Sequence, residues 1–214
     1  MPRHVLPLLA IIGVAAVIFW WLPLRHRPVQ QAMAPGSPAA SGFPVTITEA
    51  RGVQVTVPRR PRRIISLAPS VTETLFAIGA GSRVIGDTTF CDYPPAAAKL
   101  PKIGGYVDPN VEKIVAMKPD LLVGARGNAS DALNQLTQLG IPVVTVAPES
   151  LTEVESAIRL IGQATGNTRE ADALAARCAA RRQAVLHKTR ALGKHARPRT
   201  LLLFSPDSLF SAGP

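Results

Sequence analysis

NTREADALAARCAARRQAVLHKTRALG, residues 167–193, is the stretch on which the reading of the fold turns. It has no proline and no internal glycine, so it reads as one long helix. Asn167 and Glu170 stand at capping-box spacing, and Gly193 followed by Pro198 ends the run. Ala171, Leu174, Cys178, Val185, Leu186 and Leu192 make a narrow, alanine-rich apolar stripe. Arg177, Arg181, Arg182, Lys188 and Arg190 occupy the other face. About 25 residues rising about 1.5 Å each give a rod of roughly 37 Å, long for a globular helix. Two readings fit it: a spine joining two α/β lobes, or a last amphipathic helix packed on one domain.

The residues beyond it favour the spine. Arg197-Pro198-Arg199 leads into TLLLFSP, Thr200 to Pro206, an apolar run suited to a buried strand. A strand that opens an α/β unit without a successor implies that a second lobe is cut short in this sequence.

Upstream, Val45–Glu49 and Val53–Val57 alternate around Arg51-Gly52 and predict a β-hairpin. Ile64–Leu67 reads as a buried strand, and Ser70 with Glu73 predicts a capping box for a helix to about Ile78. Strands are expected at Arg83–Gly86, Leu121–Gly124 and Val143–Val146. Helices are expected at Val111–Met117 behind an Asn110 cap, at Ser130–Leu139 and at Leu151–Thr165, with loops at 87–95 and 101–109. Strands alternating with helices predict a parallel sheet covered on both faces. Ligands in such sheets lie beyond the carboxyl ends of the strands. The loops there are Ala68–Ser70, Asp87–Tyr93 and Ala125–Asn128.

At the start, Val5–Leu24 is an uncharged apolar run behind a short basic head, with Trp20 and Trp21 near its end. Its length suits a membrane span better than a signal-peptide core, so an uncleaved anchor is favoured over a cleaved signal. Basic residues on both flanks leave the orientation open. Gln30–Gly42 is rich in Pro, Ala, Ser and Gly and reads as a tether.

The net charge of +10 is spread over the chain, with no zinc-finger spacing and no basic run interleaved with aromatics. This argues against nucleic-acid binding. Cys91 and Cys178 are far apart and form no CxxC; a disulfide between them stays open. The four histidines, His4, His26, His187 and His195, all lie outside the α/β region. That argues against a histidine-based metal site there and leaves no visible catalytic triad. Gly79 and Gly81 follow a helix rather than a strand, so they mark a helix stop and not a dinucleotide loop. What remains is a binding mouth: Phe90, Tyr93, Tyr106 and Arg126 all fall in loops. Such aromatics suit stacking on a flat, bulky ligand. Glu112 opens a helix, where it either compensates the dipole or faces an arginine on a partner.

RIISLAPSVTETLFAIGAGSRVIG (63–86), CDYPP (91–95), GGYVDPNVEKIVAMKPDLLVG (104–124) and LTQLGIPVVTV (136–146), in this order and spacing, resemble the ABC-importer substrate-binding proteins with a helical backbone. Within that family the pattern is most similar to the cobalamin-binding members. The resemblance implies two α/β lobes joined by one rigid helix, with the ligand between them and no enzymatic activity. It implies no cofactor or resident metal, a small-molecule metal chelate as cargo, and an ABC permease as partner. The location it implies is the periplasmic side of the inner membrane, anchored or secreted. Phe90 and Tyr106 match ligand-facing aromatics, and Ala125 stands where the family has a second tryptophan. Phe210 in DSLFSAG matches an aromatic on the second lobe, and Glu112 matches the glutamate that docks on permease arginines. Related members bind haem through a tyrosine near Tyr106, or ferric siderophores with arginines such as Arg126. A membrane-tethered sensor or scaffold is the alternative of another class.

The expected organisation is thus α/β: an anchor or signal (1–24), a tether (25–44), a Rossmann-like parallel-sheet lobe (45–166), a backbone helix (167–196) and the start of a truncated second lobe (197–214).

Overall fold

A computed structural model of the 214-residue chain describes residues 42–190 and 192, and the backbone of two short strands at 203–205 and 210–211. The apolar run at 5–24 and most of the tether lie outside the described residues. Among those described, no helix is long and apolar enough to cross a membrane.

Strands β1 (Val45–Thr48) and β2 (Gln54–Val57) form the expected antiparallel hairpin, with Val45 opposite Val57. The main sheet comprises β3 (Ile64–Ser66), β4 (Val84–Gly86), β5 (Leu121–Ala125) and β6 (Val143–Val146), all parallel, in the order β4-β3-β5-β6. The helices are α1 (Pro69–Ala77), α2 (Pro95–Ala98), α3 (Val111–Ala116), α4 (Ser130–Gln138), α5 (Leu151–Thr165) and α6 (Thr168–Arg190). Strands β7 (Leu203–Ser205) and β8 (Phe210–Ser211) pair antiparallel in a sheet of their own.

Successive residues of a strand point to opposite faces, and both faces of this sheet are buried. Ile64, Leu121 and Val123 pack with Val71 and Leu75 of α1, Ile158 and Ile161 of α5, and the β1–β2 hairpin. Ile65, Leu67 and Leu122 pack on the other side with Ile114 of α3 and Leu133 and Leu136 of α4. Burying each such side chain contributes about 1.5–3 kcal/mol, so these two layers are the main apolar stabilisation of the sheet.

Helices α5 and α6 form a tight hairpin. Gly166 turns the chain in the left-handed region at φ 70°. A Cβ on Gly162 would collide with the Cβ of Ala171. Glu155, which is buried, pairs with Arg182 at 3.0 Å.

Several local expectations are corrected. Ser70 does not cap α1. Ala68 precedes Pro69 in extended conformation and makes no side-chain cap, so the helix starts one residue before the serine. The same Ser-x-x-Glu spacing does cap α5, where Ser150 Oγ accepts from Glu153 N–H at 3.2 Å. Asn167 does not serve as a capping-box residue either. Its amide donates to the Ile78 carbonyl (2.8 Å) and its Oδ1 accepts from Arg83. Arg83 belongs to a 3₁₀ turn at Gly81–Arg83 rather than to β4, and the expected loop at 87–95 runs to Pro94, with α2 starting at Pro95. The apolar stripe of α6 is only half used. Ala171 and Ala175 are buried, whereas Val185, Leu186 and Leu192 are exposed. Cys91 and Cys178 are free thiols, Cys91 being buried between the hydroxyls of Thr72 and Thr88.

Candidate functional site

Parallel strands deliver their following loops to one edge, so the loops after β3, β4 and β5 share the carboxyl end of the sheet. Backbone bonds then knit the loop after β4 to the 101–109 loop. Asp87 N–H donates to Pro101 O (3.2 Å), Ile103 N–H to Asp87 O (2.9 Å) and Thr89 N–H to Gly104 O (3.0 Å). Gly104 makes the turn at φ 104°. A Cβ there would lie 2.7 Å from Asp108 O and 2.9 Å from Asn110 N.

Asn128, 7% exposed, bolts this assembly to the sheet. Its Oδ1 accepts from Ala125 N–H (2.8 Å), and its amide donates to Leu67 O (2.8 Å) and Tyr106 O (2.8 Å). One side chain therefore ties the ends of β3 and β5 to the loop that carries Tyr106. The Tyr106 hydroxyl donates to the Arg126 carbonyl. The ring lies over Gly127 at φ 93°, where an added Cβ would come within 3.0 Å of it. Burial raises the Tyr106 pKa above its ordinary value.

Beneath the rim, Lys102 Nζ reaches Asp87 Oδ1 at 2.7 Å and also donates to Cys91 O (2.7 Å) and Ala97 O (3.1 Å). The lysine thus joins the β4 exit, the Phe90 loop and α2. On the rim, Phe90 and Tyr93 are each 63% exposed. The exposed Arg126 guanidinium faces Glu149 at 2.5 Å.

Of the residues singled out from sequence, Tyr106 and Arg126 are brought into direct contact, through the arginine's backbone. Phe90 stands on the loop bonded to theirs. Ala125 ends β5, half-buried. Glu112 sits elsewhere, exposed in the first turn of α3, whose Asn110 cap accepts from Lys113 N–H at 2.8 Å. Phe210 lies in β8, with its side chain outside the described residues. Asn128 and the Asp87–Lys102 pair were not singled out; apart from the local Ala125–Asn128 bond, Asn128 reaches Leu67 and Tyr106, 61 and 22 residues away, and Asp87 pairs with Lys102 15 residues on, beyond any local pattern.

A depression of about 210 Å³ beside Arg126 and Asn128 is smaller than a usual ligand pocket of about 300–1,000 Å³. This edge therefore offers a wall rather than an enclosing cavity. Among the described residues, no three His, Cys, Asp or Glu side chains come together to hold a metal ion.

Comparison with known proteins bears on this geometry. A family model described as periplasmic binding protein matches residues 64–213. The ABC transporter substrate-binding lipoprotein YvrC of Bacillus subtilis (strain 168) is 35% identical over 185 residues, 85% of this chain and 59% of that one. The periplasmic vitamin B12 binding protein BtuF of Vibrio cholerae superposes with a TM-score of 0.58 at 30% identity, covering 62% of this chain and 52% of that one. The periplasmic heme-binding protein RhuT from Roseiflexus sp. RS-1 gives 0.62 at 30% identity, covering 71% and 59%. The chain therefore spans between half and three fifths of the length of these relatives.

Proposed function

The chain belongs to the periplasmic binding protein family, and from that premise we propose that it is the substrate-binding component of an ABC importer. It captures cobalamin or a related metal chelate outside the inner membrane and delivers it to the permease, making and breaking no covalent bonds. The observation that carries this reading is the braced rim: Tyr106, fixed by Asn128 and Arg126, beside the exposed Phe90 at the carboxyl edge of the sheet. Aromatic faces held in advance bind a flat, rigid ligand with little ordering cost. A long helix between lobes limits closure, so prearranged walls matter more than motion.

A haem or ferric-siderophore receptor is the second reading, favoured by the likeness to RhuT. The chemistry of Tyr106 weighs against iron ligation as its way of binding. A phenolate ligand must lose its proton, and here the hydroxyl already donates to Arg126 O while burial raises its pKa. Stacking through the ring needs neither change. Exposed Glu112 serves in this reading as the docking carboxylate for permease arginines. Phe210 contributes from the second lobe's side.

Calorimetric titration with cyanocobalamin, haemin and a ferric hydroxamate tests the proposal. One-to-one cobalamin binding is the expected result. Binding of another chelate alone changes the cargo and keeps the receptor. No binding of any of the three points to the tethered sensor or scaffold instead.

A further inference from the structure

At the opposite edge of the sheet, where β3, β4 and β5 begin, a cavity of about 850 Å³ is lined by Arg59, Arg60, Arg62, Arg63 and Arg83, with Pro61, Gly79, Ser82 and Asp120. Five arginines and one aspartate thus share this lining, and the Asp120 carboxylate is already engaged. Asp120 accepts from the backbone N–H groups of Arg62 (2.9 and 3.1 Å) and Arg63 (2.8 Å). Two of the arginines are held by neutral acceptors. Arg63 donates to Met117 O (2.6 Å) and Lys118 O (3.0 Å). Arg83 donates to Pro61 O (2.7 Å), Thr165 O (2.9 Å) and the Asn167 side chain. Those bonds orient the charge without cancelling it. The guanidinium groups of Arg59, Arg60 and Arg62 make no hydrogen bond or ion pair among the described residues. Burial and then the neighbouring Arg60 lower the Arg83 pKa, and the charge of Asp120 opposes them without restoring it. Nor does the preceding chain supply a counter-charge, because the first acidic side chain in the sequence is Glu49.

A solvated arginine turn would account for exposure alone. It does not account for a concave site whose only carboxylate is spent on backbone amides. Guanidinium forks match phosphate oxygens bidentately. The sequence also carries an uncharged apolar run long enough to enter a bilayer. The apolar run ends at Leu24 and β1 begins at Val45, so the intervening chain spans at most about 70 Å even when fully extended.

We propose that the arginine-lined cavity at the amino edge of the sheet is a docking site for the phosphate headgroups of anionic phospholipid, holding the lobe on the membrane surface with its carboxyl-edge loops directed away.

The test uses the full chain reconstituted in bilayers of phosphatidylcholine alone or of equal parts phosphatidylcholine and phosphatidylglycerol. Amide hydrogen exchange of residues 59–63 and 79–83 is read by mass spectrometry. Three free arginines near an anionic surface favour docking by roughly 100-fold in total, so exchange there is expected to slow about tenfold or more on the anionic bilayer. High salt should abolish the difference. Arg59→Gln, Arg60→Gln and Arg62→Gln together should remove it, leaving the fold-tying Arg63 and Arg83 in place. A control with Arg177→Gln, Arg181→Gln and Lys188→Gln, which removes equal charge from α6, should retain it. Equal exchange in both bilayers, or equal loss in both variants, overturns the proposal. Equal exchange together with a pyrophosphate-induced rise in Tm that the cavity variant lacks assigns the site to a soluble phosphate ester instead, and overturns the lipid source.

Discussion

Lys102 Nζ lies 2.7 Å from Asp87 Oδ1, while the other carboxylate oxygen, fully buried, has no hydrogen-bond partner. The lysine holds two further acceptors, the carbonyls of Cys91 and Ala97, so the two partners are unequal. Removing the lysine strands a buried carboxylate. Removing the carboxylate's charge leaves the lysine bonded. Lys102→Met is therefore expected to destabilise the fold by about 3 kcal/mol, and Asp87→Asn by clearly less. Urea unfolding of the two variants checks the order.

The same group sets a pH dependence. Burial raises the Asp87 pKa above 3.8, and the hydrogen bond and charge of Lys102 oppose the rise without cancelling it. The proton is then bound more tightly in the folded state than in the unfolded one. Its stabilising contribution is complete below the unfolded value and is lost as pH rises through the higher folded value. Relative to Asp87→Asn, the parent protein should lose stability as pH climbs from below 4 towards neutrality. Parallel stability curves for the two proteins would refute a raised pKa.

Tyr106 contributes through its ring or through its hydroxyl, and two substitutions separate these. Tyr106→Ala should weaken chelate binding by about 1–3 kcal/mol, the scale of one aromatic stack. Tyr106→Phe should keep that affinity and lower stability by about 1 kcal/mol, because only the bond to Arg126 O is lost. Unchanged affinity in Tyr106→Ala would remove the residue from the site.

Asn128→Ala deletes three hydrogen bonds at a buried position and leaves Ala125 N–H and two carbonyls without that partner. A loss of about 2–3 kcal/mol is expected. Amide exchange should quicken in the Tyr106 loop ahead of the sheet. Uniform quickening across the lobe would mean that Asn128 is a general core residue rather than a brace.

Glu112→Ala should leave chelate affinity intact, since the residue stands exposed at the start of α3 and touches no part of the rim described above. Uptake by a permease-containing system should fall. Normal uptake would end its docking role.

Much of the fold was legible residue by residue. Buried runs such as Ile64–Leu67 and Val143–Val146, apolar at three of four positions, mark strands because both faces of a covered parallel sheet are buried. Gly79, Gly140 and Gly166 mark helix ends, all three at positive φ. Asn110 could be read as a cap because the bond it makes spans three residues. For the candidate site the sequence placed Phe90, Tyr106 and Arg126 in loops at one edge, but it did not show how they are held.

Sequence alone determined the elements and their order, because apolar period, proline, glycine and short-range caps act within one or two turns of chain. Tertiary structure decided what those rules leave degenerate. Asn167 is drawn from its own helix to Arg83 and Ile78. The order β4-β3-β5-β6, the reach of Asn128 across 61 residues to Leu67, and the gathering of five arginines around one cavity all depend on contacts between distant parts of the chain. Their free energy exists only once the core has brought those segments together.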